Sequence, residues 1–130
     1  MAVQASETVE KTLPIQRMAR ENDDFRRVVR TGAHAQIVLM SVAPGESIGL
    51  ETHGHIDQML VFVAGEGRAY IDGEEHDVGE GDLAFVPAGM KHDFVATGST
   101  PLKLFTAYTP PEHPSGTVHE SKAEAEADHP

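Results

Sequence analysis

Between Ala35 and Tyr108 no apolar or alternating run exceeds seven residues before Gly, Pro or Asp interrupts it. A core helix needs a longer stretch at 3.6-residue spacing, whereas short runs closed by turn residues are the mark of β-strands. The runs are Gln36–Val42, Met59–Val63, Arg68–Ile71, Leu83–Val86, Asp93–Ala96 and Leu102–Tyr108. Pro44-Gly45, Gly65-Glu66-Gly67, Gly79-Glu80-Gly81 and Pro87-Ala88-Gly89 separate them at spacings of about 8–12 residues, the rhythm of a sandwich or barrel. A parallel β/α fold would need intervening helices, and the segment has none. Asp72-Gly73 predicts a two-residue hairpin between Arg68–Ile71 and Glu75–Val78, because both central positions of a type I′ turn require positive φ.

The flanks read differently. Ile15, Met18, Ala19, Phe25, Val28 and Val29 recur loosely at helical spacing between Pro14 and Gly32, which predicts a short or broken helix. Pro110-Pro111-Glu112-His113-Pro114 excludes regular structure, since three prolines remove donors and fix φ, and should run extended over the surface. Ser121–Asp128 alternates Ala with acids and is expected to form a frayed helical turn or none. The chain thus divides into an N-terminal extension (1–34), a β-barrel (35–109) and an extended C-terminal strap with a polar tail (110–130), about one domain by length.

With 10 Lys+Arg against 21 Asp+Glu, the formal charge of −11 repels nucleic acid and anionic lipid, and no basic patch overrides it. Cysteine is absent, so a metal could be held only by His, carboxylate or amide groups. The first eleven residues carry Glu7 and Glu10 and no apolar run of signal-peptide length, and nowhere do 18 apolar residues follow one another. A cytoplasmic protein without nucleic-acid or membrane partners is expected.

Eight histidines are present, two of them in His53-Gly54-His55. On an extended strand, residues two apart share a face, so both rings could meet one ion. Alone the pair is weak, because a His-x-His is more often accidental surface chemistry.

Read together, His53-Gly54-His55, Gln58 and Gly65, then Gly81, Pro87, Gly89 and His92, resemble the two signature motifs of the cupin superfamily. Six residues separate Gln58 from Gly65 as in the first motif, but only two separate His55 from Gln58, seven separate Gly45 from His53, and Gln stands where the family has Glu. The second motif is met by Gly81, Pro87, Gly89 and His92 and departs only at Ala96, where the family has Asn. Composition alone would produce those four residues at those offsets with a probability of about 0.004. The resemblance spans Ala35 to Tyr108, and the stretch Pro101–His119 is similar to the ending of small bacterial single-domain cupins labelled sugar-phosphate-isomerase-like. It implies an all-β fold, a small antiparallel double-stranded β-helix or jelly roll, with one divalent first-row metal ion inside.

The residues support the same chemistry on their own terms. Pro87 and Gly89 permit a tight turn after which His92 enters a strand on the face of Phe94 and Ala96. His53, His55 and His92 with the carbonyl oxygen of Gln58 would hold Fe, Mn, Ni, Cu or Zn and leave positions open, the layout of a catalytic site. Where a Glu would bring the ion and its ligands to +1, three imidazoles and Gln58 leave +2, which favours an anionic chelating substrate. Glu51 would share the face of His53 and His55, as a fifth ligand, as a catalytic proton-transfer group, or as a hydrated rim carboxylate. Asp57 is an alternative ligand if the register differs by one, and otherwise a turn residue. His34, His76, His113, His119 and His129 are expected at the surface or in the tail, with a strap across the barrel mouth as the alternative for His113 and His119.

The expected function is therefore a metal-dependent enzyme acting on a small oxygenated anionic chelator by dioxygenase or lyase chemistry. A sugar-phosphate isomerase ranks lower, because only Arg68, Lys91 and Lys103 are basic in the barrel segment and Lys103 should point away from Leu102 and Leu104. A small-ligand-binding module without turnover is the third reading, since fold does not decide function. Gln36–Val42 is apolar on both faces, so another element or a second subunit must cover one of them, and a homodimer is expected.

Overall fold

The computed structural model describes residues 3–4 and 7–128, which leaves His129 outside the described residues. Ten strands and two short helices follow in order: β1 (Val3–Gln4), α1 (Ile15–Glu21), β2 (Arg26–Thr31), β3 (Gln36–Val42), β4 (Asp57–Ala64), β5 (Glu66–Ile71), β6 (Glu74–Gly79), β7 (Leu83–Val86), β8 (His92–Ala96), β9 (Leu102–Thr109), β10 (Thr117–His119) and α2 (Lys122–Ala127). Seven strands form one antiparallel sheet in the order β1-β10-β2-β3-β9-β4-β7, and β6-β5-β8 form the second. The two sheets make the jelly roll that the family resemblance implied, within the sandwich-or-barrel class read from the strand rhythm.

Side-chain alternation puts the core between the sheets. Along β9, Leu102, Leu104, Thr106 and Tyr108 are buried while Lys103, Phe105, Ala107 and Thr109 face the other way. Lys103 thus points out as expected, and its Nζ donates to Arg20 O at 2.9 Å. Leu60 and Phe62 of β4, Val38, Met40 and Val42 of β3, and Phe94 and Ala96 of β8 complete the interior. The predicted hairpin is present: Ile71 pairs with Glu74, and the intervening Asp72 and Gly73 have φ of 50° and 83°, the left-handed values a type I′ turn demands.

The N-terminal expectation is corrected in part. A helix does follow Pro14, but it stops at Glu21, and Arg26–Thr31 is a strand paired with β3. Val28 enters the main core and Val29 packs on the opposite face, a division that one continuous helix through Val29 would not give. Helix α1 covers that outer face: Ala19, Val29, Leu39 and Val63 are buried there, with Ile15, Met18, Ile37 and Phe105 against them. The second apolar face of β3 is therefore covered within the chain, so the argument from β3 for a second subunit falls away.

The C-terminal segment is more ordered than its composition suggests. Residues 110–116 form no strand or helix, as three prolines require, yet β10 joins the large sheet between β1 and β2. Helix α2 has a Ser121 cap whose hydroxyl accepts from Glu124 N at 3.1 Å, the stabilising arrangement at a helix start.

Candidate metal centre

The site forms where three stretches of chain meet. Glu51 and His92 are bridged antiparallel, with Glu51 N donating to His92 O and His92 N to Glu51 O, both at 2.9 Å. The Pro87–Gly89 turn is anchored to the neighbouring stretch: Gly89, at φ 85°, donates its N–H to His53 O at 2.7 Å. The third stretch is the strap after β9, which brings Glu112 to His53.

His53 has a side chain only 8% exposed, with Nδ1 2.7 Å from Glu112 Oε2. A carboxylate can only accept, so Nδ1 carries the proton and donates. Its Nε2 is buried with no hydrogen-bond partner and lies 3.7 Å from Glu51 Oε2. The Glu112 hydrogen bond, against the opposing cost of burial, raises the His53 pKa above its ordinary value. His92 is also buried, and its Nδ1–H donates to Met90 O at 2.9 Å, which makes Nε2 the lone-pair nitrogen of the neutral ring. The His53 and His92 ring centroids are 5.3 Å apart.

Gln58 faces the interior of β4, beside Tyr108 across the ladder, and Tyr108 meets the His53 ring edge-on at 6.0 Å. Its Nε2 donates to Thr106 Oγ1 at 3.1 Å, while Oε1 is buried without a partner. Burial drives the Tyr108 pKa well up, so the phenol stays neutral.

These residues fit a divalent cation. Two buried acceptor atoms, His53 Nε2 and Gln58 Oε1, lack donors, and buried polar atoms are seldom left so. Ligand atoms about 2.1 Å from one ion stand roughly 3.0–3.6 Å apart at angles of about 90–120°, and two imidazoles on it have centroids about 5 Å apart. The observed 3.7 Å and 5.3 Å are close to both. Ligand atoms of Glu51, His53 and Glu112 all lie within 4.8 Å of one another. The bond that Glu112 accepts from Nδ1 is the outer-shell support that metal-bound histidines carry.

His55 is not brought to this group. Residues 54 and 55 lie in a turn, and His55 is exposed. Two-residue periodicity holds only in an extended chain, so the same-face argument for His53 and His55 does not apply. Asp57 is exposed too, and its Oδ1 accepts from Ala88 N at 2.9 Å, which staples the Pro87–Gly89 turn. His34 and His76 are exposed as expected. His113 and His119, expected at the surface, are buried at 9% and 1% exposure. Glu112 gives no sequence signal beyond its place in a proline-rich run.

A cavity of about 240 Å³ opens beside the centre, with Glu51 and Glu112 in its wall. Phe25, Ile48 and Ala125 give it an apolar side, and Arg26, His113, Lys122 and Glu126 also line it. Two cations, Arg26 and Lys122, thus reach the site from outside residues 35–109.

Residues 38–108 match the Cupin_2 model, described as a cupin domain. The chain is 44% identical over 119 residues to the uncharacterised protein YrkC of Bacillus subtilis, covering 87% of this chain and 64% of that protein. A further relative is the oxalate-binding protein of Thermotoga maritima, 31% identical over 65 residues, which are 50% of this chain and 54% of that one. The chain therefore spans less than two thirds of the length of either. Among solved structures, BH2720 of Bacillus halodurans superposes with a TM-score of 0.91 at 39% identity, covering 96% of this chain and 99% of that one.

Proposed function

Because the chain belongs to the cupin family, whose fold commonly binds metal, we propose that it is a divalent-metal-dependent cupin acting on a small oxygenated, anionic chelator by dioxygenase or lyase chemistry. The observation that carries this reading is the pair of buried, donorless acceptors, His53 Nε2 and Gln58 Oε1, beside a second ring whose Nε2 is set to accept. His53, His92, Glu51 and Gln58 would hold the ion, and Glu112 would fix the His53 ring through Nδ1. His55 is left out of the set.

Bound there, a first-row ion would act as a Lewis acid toward an oxygenated ligand. The chain's own residues do the rest. Glu51, partly exposed on the cavity side, would hold the ion with one carboxylate oxygen and keep the other to accept or return a proton. Tyr108 stays protonated and shields the back of His53. Phe25, Ile48 and Ala125 exclude water from one side of the ligand.

A dianionic phosphate is disfavoured, because Glu51, Glu112 and Glu126 face it against Arg26 and Lys122. Binding without turnover is a second reading, supported by the similarity to a protein called oxalate-binding. We place the protein in the cytoplasm and as a homodimer; among the described residues no helix is long and apolar enough to cross a membrane. Support for the dimer comes from Leu83 and Phe85 on edge strand β7, 59% and 50% exposed and paired with Val61 and Met59.

Elemental analysis of protein purified without added metal tests the reading. Near-stoichiometric metal is expected in the wild type and in His55→Ala, and loss in His53→Ala and His92→Ala. Retention in both of the latter, or none in the wild type, refutes it. Oxygen uptake by the iron-loaded protein with dicarboxylates and diketones then separates turnover from binding.

A further inference from the structure

Arg26 of β2 is a buried cation with no ion-pair partner among the described residues. It is 5% exposed, its Nη1 lies 3.1 Å from His119 Nδ1, and its Nε makes no hydrogen bond. A guanidinium keeps its protons and can only donate, so His119 Nδ1 must offer a lone pair. The proton of His119 then sits on Nε2, which donates to Asp128 Oδ2 at 3.1 Å. His119 is therefore a neutral ring oriented by a carboxylate, and it gives Arg26 a dipole, not a countercharge. The Phe25 face, 5.3 Å from the guanidinium carbon, adds a second weak partner. Among the described residues no ion pair joins Arg26 to an acidic side chain. Burying a guanidinium with an unmet N–H is costly unless an anion completes it.

The same arginine lines the cavity whose wall includes Glu51 and Glu112. Its volume of about 240 Å³ equals some eight waters at about 30 Å³ each, room for a small organic acid. We propose that Arg26 is an anion-binding residue that anchors a carboxylate of the cavity's ligand, with Nε–H and a terminal N–H as the two-pronged donor. The ligand class becomes a small acid with a charged carboxylate at one end and chelating oxygens at the other. Only that chelating end rests on the metal reading above; the carboxylate end rests on Arg26 and is tested apart from it.

Sodium acetate is titrated into the full-length ¹⁵N-labelled chain, as purified and again after chelation of metal, with acetamide and inorganic phosphate as comparison arms. The Arg26 Nε–H signal, identified by its loss in Arg26→Lys, should shift saturably with acetate in both preparations. Acetamide should leave it in place, and phosphate, a dianion facing Glu51, Glu112 and Glu126, should require roughly tenfold higher concentration. Acetate should also raise the Tm of the wild type, and Arg26→Lys should lose that rise. An unmoved Nε–H signal with acetate in both preparations, an equal response to acetamide, or phosphate acting at lower concentration than acetate overturns the proposal. So does an undiminished Tm rise in Arg26→Lys. A wild type that holds no metal but still shows the acetate shift refutes the metal reading alone, and metal content unchanged beside a silent Arg26 refutes this one alone.

Discussion

Replacing Glu112 with glutamine removes a charge from the candidate metal centre without changing its shape, which makes it the most informative single perturbation. The 2.7 Å contact between Glu112 Oε2 and His53 Nδ1 is charge-assisted and fixes both the tautomer and the tilt of the ring. Loss of such a support typically costs about 10- to 100-fold in metal affinity, or about 1.4–2.8 kcal/mol at 1.4 kcal/mol per decade. Glutamine Oε1 can still accept from Nδ1–H, so Glu112→Gln should fall near tenfold and Glu112→Ala, which removes the acceptor, near a hundredfold. Competition of each variant against a chelator for Zn²⁺ or Mn²⁺ at fixed pH reads the affinities directly. A direct ligand role for Glu112 would give losses well beyond a hundredfold in the Ala variant. Wild-type affinity in both variants would refute the argument that the strap orients His53.

Gln58→Glu should raise metal retention, because a carboxylate replaces a neutral carbonyl oxygen, and should weaken affinity for anionic ligands as the formal charge of ion and ligands, Glu51 included, falls from +1 to 0; unchanged dialysis half-life and unchanged acetate or malonate titrations would refute it. The His53 pKa is raised chiefly by the Glu112 hydrogen bond, so in metal-free protein the protonated ring contributes stability that is fully present below the unfolded value of about 6.5 and is lost as pH rises through the higher folded value. The metal-free Tm should therefore fall across that window in the wild type and not in Glu112→Gln, while metal affinity should drop about tenfold per pH unit below the folded value as protons compete for His53. A pH-independent Tm above 6.5 would contradict the pairing. Phe62→Ala, at a fully buried position whose ring is tilted against Phe94 with centroids 5.8 Å apart, should destabilise by about 3–5 kcal/mol, read from the urea midpoint at constant slope.

What could be read from the chain follows the range of the forces involved. The bounds of β3 and β7 and the Asp72-Gly73 hairpin coincide with their sequence patterns, because alternation and positive-φ turn residues are local properties. Strand β2 was not legible: Arg26-Arg27-Val28-Val29-Arg30 has no clean period of two, and its pairing depends on Leu39 and Val118 from far along the chain. Strand β10 is three residues long, too short for any periodic signal. Within the site, His92 and Gln58 carry family spacing and lie in regular strands, so their inward orientation follows from alternation. His53-Gly54-His55 carries the motif but not the conformation. Gly54 in a turn sends His55 to solvent, and the missing partner of His53 arrives as Glu112 from a segment whose only readable property was that it could not be a strand.

That segment is placed by one buried amide. Gln36, fully enclosed at the start of β3, donates from Nε2 to His113 O at 2.7 Å and to Thr31 Oγ1 at 3.1 Å, and its Oε1 accepts from Glu112 N at 3.1 Å and His113 N at 3.0 Å. A side-chain amide has two donors and two acceptor lone pairs, and Gln36 uses all four. The strap needs such an anchor because its prolines leave few backbone donors to tie it to a sheet. Three of those four bonds go to the backbone of Glu112 and His113, the two strap residues that line the cavity. The position of the Glu112 carboxylate on His53 thus depends on a residue outside the cavity wall, and the large sheet, through β3, sets the geometry of the candidate metal centre as firmly as the strands that carry its proposed ligands.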